Sequence, residues 1–170
     1  MQNKCSGCGA TLAADEKICP YCETVQEDNS DQALLDRLMS IKRHYEIAQN
    51  QGDQIIVREL LANDFSYTLV DGDEPETSDR NQIIESSGVN ARSFFSYSYS
   101  QEKLLERSAD AAKISCIDTT CRHYPKGNLL YPNGEALYYE RAQVNFVCRA
   151  GRWQIASINA TSIDEDGNNC

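Results

Sequence analysis

No run of apolar residues in this 170-residue chain approaches the roughly 18 that a membrane-crossing helix needs. The N-terminus offers only Lys4 as a positive charge and has no apolar stretch leading to a small-residue cleavage site. A secretory leader is therefore not expected, and the chain is expected to be cytoplasmic. Positive charge is scarce throughout, with 16 Lys and Arg against 26 Asp and Glu and a formal net charge of −10. A phosphate backbone or an anionic bilayer needs a basic stripe, so nucleic acid and membrane surfaces are excluded as expected partners. Histidine is limited to His44 and His123, neither with a second histidine beside it. His123 reads as a partly exposed residue near a strand end. His44, beside Lys42 and Arg43, reads as part of a solvated helix face.

Cysteine, by contrast, is plentiful: there are eight. In a reducing compartment these read as metal ligands, small buried side chains or redox sensors before they read as disulfides. Four fall in "CSGCGATLAADEKICPYC", residues 5 to 22, as two CxxC pairs. A structural zinc ion takes four soft ligands at tetrahedral corners, and each CxxC turn supplies two. Cys5 and Cys8 form one pair, with Gly7 and Gly9 easing the turn, and Cys19 and Cys22 form the other around Pro20. The ten residues between Cys8 and Cys19 hold too few apolar side chains to build a core, so the metal would supply most of the folding energy. The alternatives are a thiol-based redox sensor that releases zinc on oxidation, and a thioredoxin-like pair, which the lack of a preceding strand disfavours. Cys116, Cys121 and Cys148 read as small buried side chains, and Cys170 as an exposed thiol without a function.

The stretch from 5 to 22 resembles the short bacterial zinc-ribbon modules, departing at Glu23, where the family commonly has glycine. That resemblance implies one structural zinc on Cys5, Cys8, Cys19 and Cys22. Four protein ligands leave no open position, so no hydrolytic chemistry is expected of the ion.

Beyond the ribbon at 1–23 and a polar linker at 24–30, the chain reads as one domain over 31–163, followed by a disordered acidic tail at 164–170. Leu34, Leu35, Leu38, Ile41, Tyr45 and Ala48 recur at helical spacing, with Asn29 or Ser30 as N-cap and Gly52 past the end. Asp53 caps a second helix through Ile56, Val57, Leu60 and Leu61. Residues 65 to 71 read as a strand, "GDEPETS" as a polar turn, and 79 to 87 as a third helix capped by Thr77 or Ser78. Period-2 patterning then predicts strands over 93–106, 111–123, 135–149 and 152–163. This order predicts an α+β fold with helices packed on one face of a strongly curved antiparallel sheet.

"AQNQGDQIIVRELLANDFSYTLVDG", the "DRNQIIE" helix and the closing "YYERAQVNFVCRAGRWQIASI" hairpin resemble the nuclear transport factor 2-like superfamily. Its cone-shaped fold is shared by SnoaL-like polyketide cyclases and ketosteroid isomerase. The resemblance covers about 31–163 and implies a homodimer paired through the sheet. None of the enzymes' catalytic motifs is matched residue by residue, so no catalytic role carries over.

A two-residue turn at Ala150 and Gly151 sets Arg149 opposite Arg152. Register then pairs Cys148 with Trp153, Phe146 with Ile155, Val144 with Ser157, Ala142 with Asn159, Glu140 with Thr161 and Tyr138 with Ile163. A turn at Ser108 and Ala109 likewise puts Phe95, Tyr97, Tyr99, Thr120, Asp118 and Cys116 on one face. With both faces turned toward the helices, Tyr97, Tyr99, Asp118, Tyr138, Glu140 and Asn159 line a cavity, unless a bulge moves them to the other face.

Two functions follow. The first is a non-enzymatic binding or interaction protein, in which the cone takes a small apolar ligand, a protein partner or its own twin. The second is a lyase or isomerase in which a desolvated carboxylate, Asp118 beside Tyr99 or else Glu140, moves a proton.

Overall fold

The structure is a computed structural model that describes residues 3–4, 8–12, 18, 20–22, 30–72, 74–87, 94–124 and 128–170. The chain divides into two units, Met1–Leu34 and Leu35–Cys170.

In the first unit, β1 (Asn3–Lys4) pairs antiparallel with β2 (Thr11–Leu12), Asn3 opposite Leu12 and Lys4 opposite Thr11. The chain between the strands carries the first CxxC pair, and Gly9 there has φ +76°, a left-handed conformation that favours glycine. Leu12 is buried with Ala10 packed on it. Cys5 and Cys19 lie outside the described residues, as does the linker expected at 24–30 apart from Ser30.

The second unit is built on α1 (Asp31–Gln51) from Leu35 onward, α2 (Gln54–Leu60) and α3 (Arg80–Ser86), set against a curved six-stranded sheet. Ser30 starts α1: its side-chain oxygen accepts from Ala33 N at 3.1 Å and its carbonyl from Leu34 N at 3.0 Å. Asp53 caps α2 through Ile56 N at 3.0 Å. For α3 the cap is Asp79, one residue beyond the expected Thr77 or Ser78. Its carboxylate takes Asn81 N and Gln82 N, while the Gln82 side chain accepts from Asp79 N, a reciprocal capping box.

The sheet comprises β3 (Leu61–Asp71), β4 (Glu74–Asp79), β5 (Phe94–Arg107), β6 (Ala111–His123), β7 (Glu135–Arg149) and β8 (Arg152–Ile163), in spatial order β4-β3-β8-β7-β6-β5. All neighbours are antiparallel except β3 and β8, which run parallel. The four long strands fall within a residue of the predicted bounds. β4 occupies most of the segment read as a turn. Its side chains are nearly all exposed, so it carries no apolar alternation, and Pro75 is tolerated because β4 is an edge strand. Leu38, Val57, Leu61, Ile114, Val144, Phe146 and Ile155 form the buried core beneath the helices.

The closing hairpin follows the expected register only as far as Phe146 opposite Ile155. A bulge then shifts it by one, so that Val144 meets Ile158, Ala142 meets Ala160 and Glu140 meets Ser162. The bulge turns both Ile155 and Ile158 into the core, although they are three residues apart. In the first hairpin two shifts near the turn offset the longer loop, and Tyr97 opposite Thr120 and Tyr99 opposite Asp118 stand as the sequence predicts.

The tail does not hang free as expected. Asp164 accepts from Asp166 N and Asn168 N, Arg141 donates to Gly167 O at 2.8 Å, and Ile163 bridges to Asn169. These bonds pull the carboxyl group of Asp164 below its ordinary pKa, the Asn168 side chain contributing most.

Candidate functional site

The 3-4-3 spacing of Leu35, Leu38, Lys42 and Tyr45 puts Lys42 on the buried stripe of α1, not on the solvated face. It is 1% exposed. An ammonium there requires counter-charges, and two meet it: Glu46, one turn along the helix, and Asp118 of β6 at 2.6 Å. Asp118 is itself buried, 7% exposed, and also accepts from Cys116 Sγ at 3.1 Å. Tyr99 of β5 donates its hydroxyl to Glu46, and its ring lies 4.8 Å from the Lys42 ammonium. Helix α1 is thus bolted to β5 and β6 by a four-residue polar cluster.

Lys42, Glu46 and Asp118 of this cluster line a cavity of about 440 Å³. Tyr45, Tyr67, Phe95, Tyr97, Ile83 and Ile158 supply apolar wall, and Lys42, Glu46, Asp118, Thr120 and Glu140 supply polar atoms. Size and composition suit a small organic molecule. Glu140 of β7 differs from the other carboxylates: among the described residues it has no ion-pair partner.

The electrostatics follow burial. Desolvation works to lower the Lys42 pKa, but the Glu46 and Asp118 charges outweigh it and hold the value above that of an ordinary lysine. Burial raises Glu46, Asp118 adding to the effect, with Lys42 and the Tyr99 hydrogen bond opposing it. Burial likewise raises Glu140, reinforced by Asp118 and only partly offset by Lys42. Tyr97 is pushed up to about 12, chiefly by desolvation. Burial also drives Tyr99, Tyr67 and the Cys116 thiol upward, so none of the three is a ready nucleophile or base.

Of the six residues the sequence singles out for the cavity, the structure brings Tyr97, Asp118 and Glu140 to its lining. Tyr99 is not among the lining residues and bonds Glu46. Tyr138 is 43% exposed and reaches Tyr124 at 3.4 Å, beyond the lining residues. Asn159 is exposed and faces away from the cavity, because the bulge in β8 reverses its side. The expected pairing of Asp118 with Tyr99 as base and oxyanion donor is replaced by Lys42–Asp118 and Tyr99–Glu46. Lys42 and Glu46 are the members that sequence reasoning missed. Their signal was the position of Lys42 midway along an apolar stripe.

As for metal donors, Cys8 and Cys22 of the ribbon are exposed. Among the described residues of the first unit, Leu12 with Ala10 packed on it is the buried apolar contact. A second group, Cys121, His123 and Glu135, has ligand atoms all within 4.8 Å of one another. There His123 already bonds Glu135 at 3.2 Å and Ser96 at 3.2 Å.

No family model matches this chain, and no curated protein matches it. Solved structures do match. A candidate scytalone dehydratase from Novosphingobium aromaticivorans aligns with TM-score 0.63 at 12% identity, over 78% of this chain and 86% of that one. A candidate dehydratase of the nuclear transport factor 2-like family from Streptomyces avermitilis aligns with TM-score 0.59 at 12% identity, over 79% and 99%. A nuclear transport factor 2-like protein from Cytophaga hutchinsonii aligns with TM-score 0.58 at 15% identity, over 75% and 97%. At such identities the shared feature is the fold, which hosts both enzymes and proteins of unknown function. The three helices and six-stranded sheet of this chain have the nuclear transport factor 2-like fold.

Proposed function

We propose that this is a small-molecule-binding protein whose cone cavity holds the ligand and whose N-terminal cysteines form a structural zinc clamp. The observation that carries the reading is the cavity of about 440 Å³, walled by aromatic rings and bearing a carboxylate, Glu140, that has no ion-pair partner among the described residues. Asp118 and Glu46 serve the fold instead, since both are committed to Lys42. Titration of isotope-labelled protein with a small aromatic fragment library tests it by NMR. Shifts clustering on Tyr67, Tyr97, Thr120 and Ile158 support the reading, and shifts confined to the outer surface refute it.

The zinc clamp rests on the spacing of Cys5, Cys8, Cys19 and Cys22 and on the few apolar side chains in the sequence between Cys8 and Cys19. Zinc there would hold the two CxxC turns together and supply folding energy. Pairing of two cones through the sheet face opposite the helices is part of the proposal and follows from the fold resemblance. Light scattering on the eluting protein checks it: a monomer at high concentration removes that part.

A second reading, proton transfer by Glu140, is favoured by one observation. Its carboxyl group is raised by burial toward the range useful to a general base, with tyrosine hydroxyls across the cavity. Hydrogen–deuterium exchange next to the carbonyl of a cyclic ketone in heavy water, present in the wild type and lost in Glu140→Gln, would make the protein an enzyme. Failure of exchange with cavity binding intact keeps it a binder.

A further inference from the structure

The cavity's charges do not balance. One ammonium, Lys42, faces three carboxylates, and it is already claimed by Glu46 and by Asp118 at 2.6 Å. Glu140 is left as a negative group on a cavity lined by aromatic residues, with no ion-pair partner among the described residues. An anionic ligand would have to enter against that excess charge. A neutral apolar ligand would displace water from Glu140 and give nothing in return, and a neutral hydroxyl would return a hydrogen bond without a counter-charge. A cation would be met twice, by the carboxylate and by the aromatic rings of Tyr67 and Tyr97, whereas Phe95 already holds the Arg122 guanidinium over its ring at 5.5 Å.

We propose that the cone cavity binds a small organic cation, an amine or quaternary ammonium on a compact apolar body, with its nitrogen at Glu140 and its body against Phe95, Tyr97 and Ile83. The inference rests on the reading of the cavity as a ligand site. Ile83 and Ile158 provide apolar contact beside the rings. Glu140 stands opposite Asp118 on the neighbouring strand, so the ligand's charged nitrogen sits beside the polar cluster, at the lining carboxylate that Lys42 does not bond.

Three probes of nearly equal size and different charge test this: benzyltrimethylammonium, benzyl alcohol and benzoate. Each is titrated into the full-length wild type and into Glu140→Gln, followed by NMR at Tyr67, Tyr97 and Thr120. Added salt screens the chain's overall negative charge. The ammonium is expected to bind the wild type about tenfold or more tightly than the alcohol, and benzoate not to bind. In Glu140→Gln that preference should vanish while the alcohol's affinity stays. Equal binding of the three, or an ammonium preference surviving in Glu140→Gln, overturns the cation proposal and leaves the cavity reading standing. If none of the probes perturbs the cavity residues, the cavity reading itself fails.

Should Glu140→Gln not fold, the wild type serves through pH. Lys42, Glu46, Asp118 and Asp71 are the charged groups acting on Glu140. Acidification that protonates Glu140 must erase the ammonium preference, and persistence of the preference in acid overturns the proposal.

Discussion

Replacing Lys42 by methionine keeps an unbranched apolar stem on the buried stripe of α1 and deletes only the ammonium. The residue is 1% exposed and ion-paired with Glu46 and Asp118, so the substitution strands two carboxylates in a site with little water. Breaking a buried pair by removing one partner costs about 3 to 5 kcal/mol. With a urea slope of about 2 kcal/mol per molar, the unfolding midpoint should fall by about 1.5 to 2.5 M. The sign of the pH dependence follows from the orphaned acids. Without Lys42 the carboxyl of Glu46, already raised by burial, loses the charge that opposes that rise, which favours the folded state while it is protonated. That advantage is complete below the unfolded value and disappears as pH climbs through the folded one. Wild type and variant should therefore stand closer in stability near about pH 4 than at neutrality. Urea unfolding followed by circular dichroism at both pH values is the assay. A loss below about 1 kcal/mol at neutral pH, or an equal gap at both, would refute the reasoning that Lys42 is a buried counter-ion.

Glu140→Gln should raise stability at neutral pH and flatten its pH dependence. In the wild type the raised carboxyl contributes stability below the unfolded value of 4.5 that is lost as pH rises through the folded one, and the amide cannot ionise. Thermal melts at several pH values check it. Asp79→Ala removes both acceptor contacts of the capping box at α3 and should cost about 1 kcal/mol in chemical unfolding, whereas Asp79→Asn should lose less. Protein purified anaerobically should carry about one zinc per chain by elemental analysis. That zinc should be lost in a Cys5→Ser, Cys8→Ser double variant whose cone melts at an unchanged temperature.

Element order and strand extents were legible because long half-buried strands write period 2 plainly, as in "AAKISCIDTT" of β6. Glycine and cap residues likewise marked the helices at Gly52 and Asp53. Edge strand β4 was hidden because it buries nothing and so leaves no alternation. The bulge in β8 had a trace, since apolar residues at 155, 156, 158 and 160 do not keep a period of two. Taking the period literally put Asn159 in the cavity instead of Ile158. Lys42 was misread because its type argues for solvent while its position argues for the core. Only the tertiary contact with Asp118, 76 residues away, decides between them.

The account depends most on Glu140 being a desolvated, unpaired carboxylate that looks into an open cavity. Carbon-13 NMR titration of its side-chain carboxyl, alone and with saturating benzyltrimethylammonium, reads this at one atom. The account predicts a midpoint above the ordinary 4.5 in the free protein and a lower one with the cation bound. An ordinary midpoint that the cation does not move would contradict it.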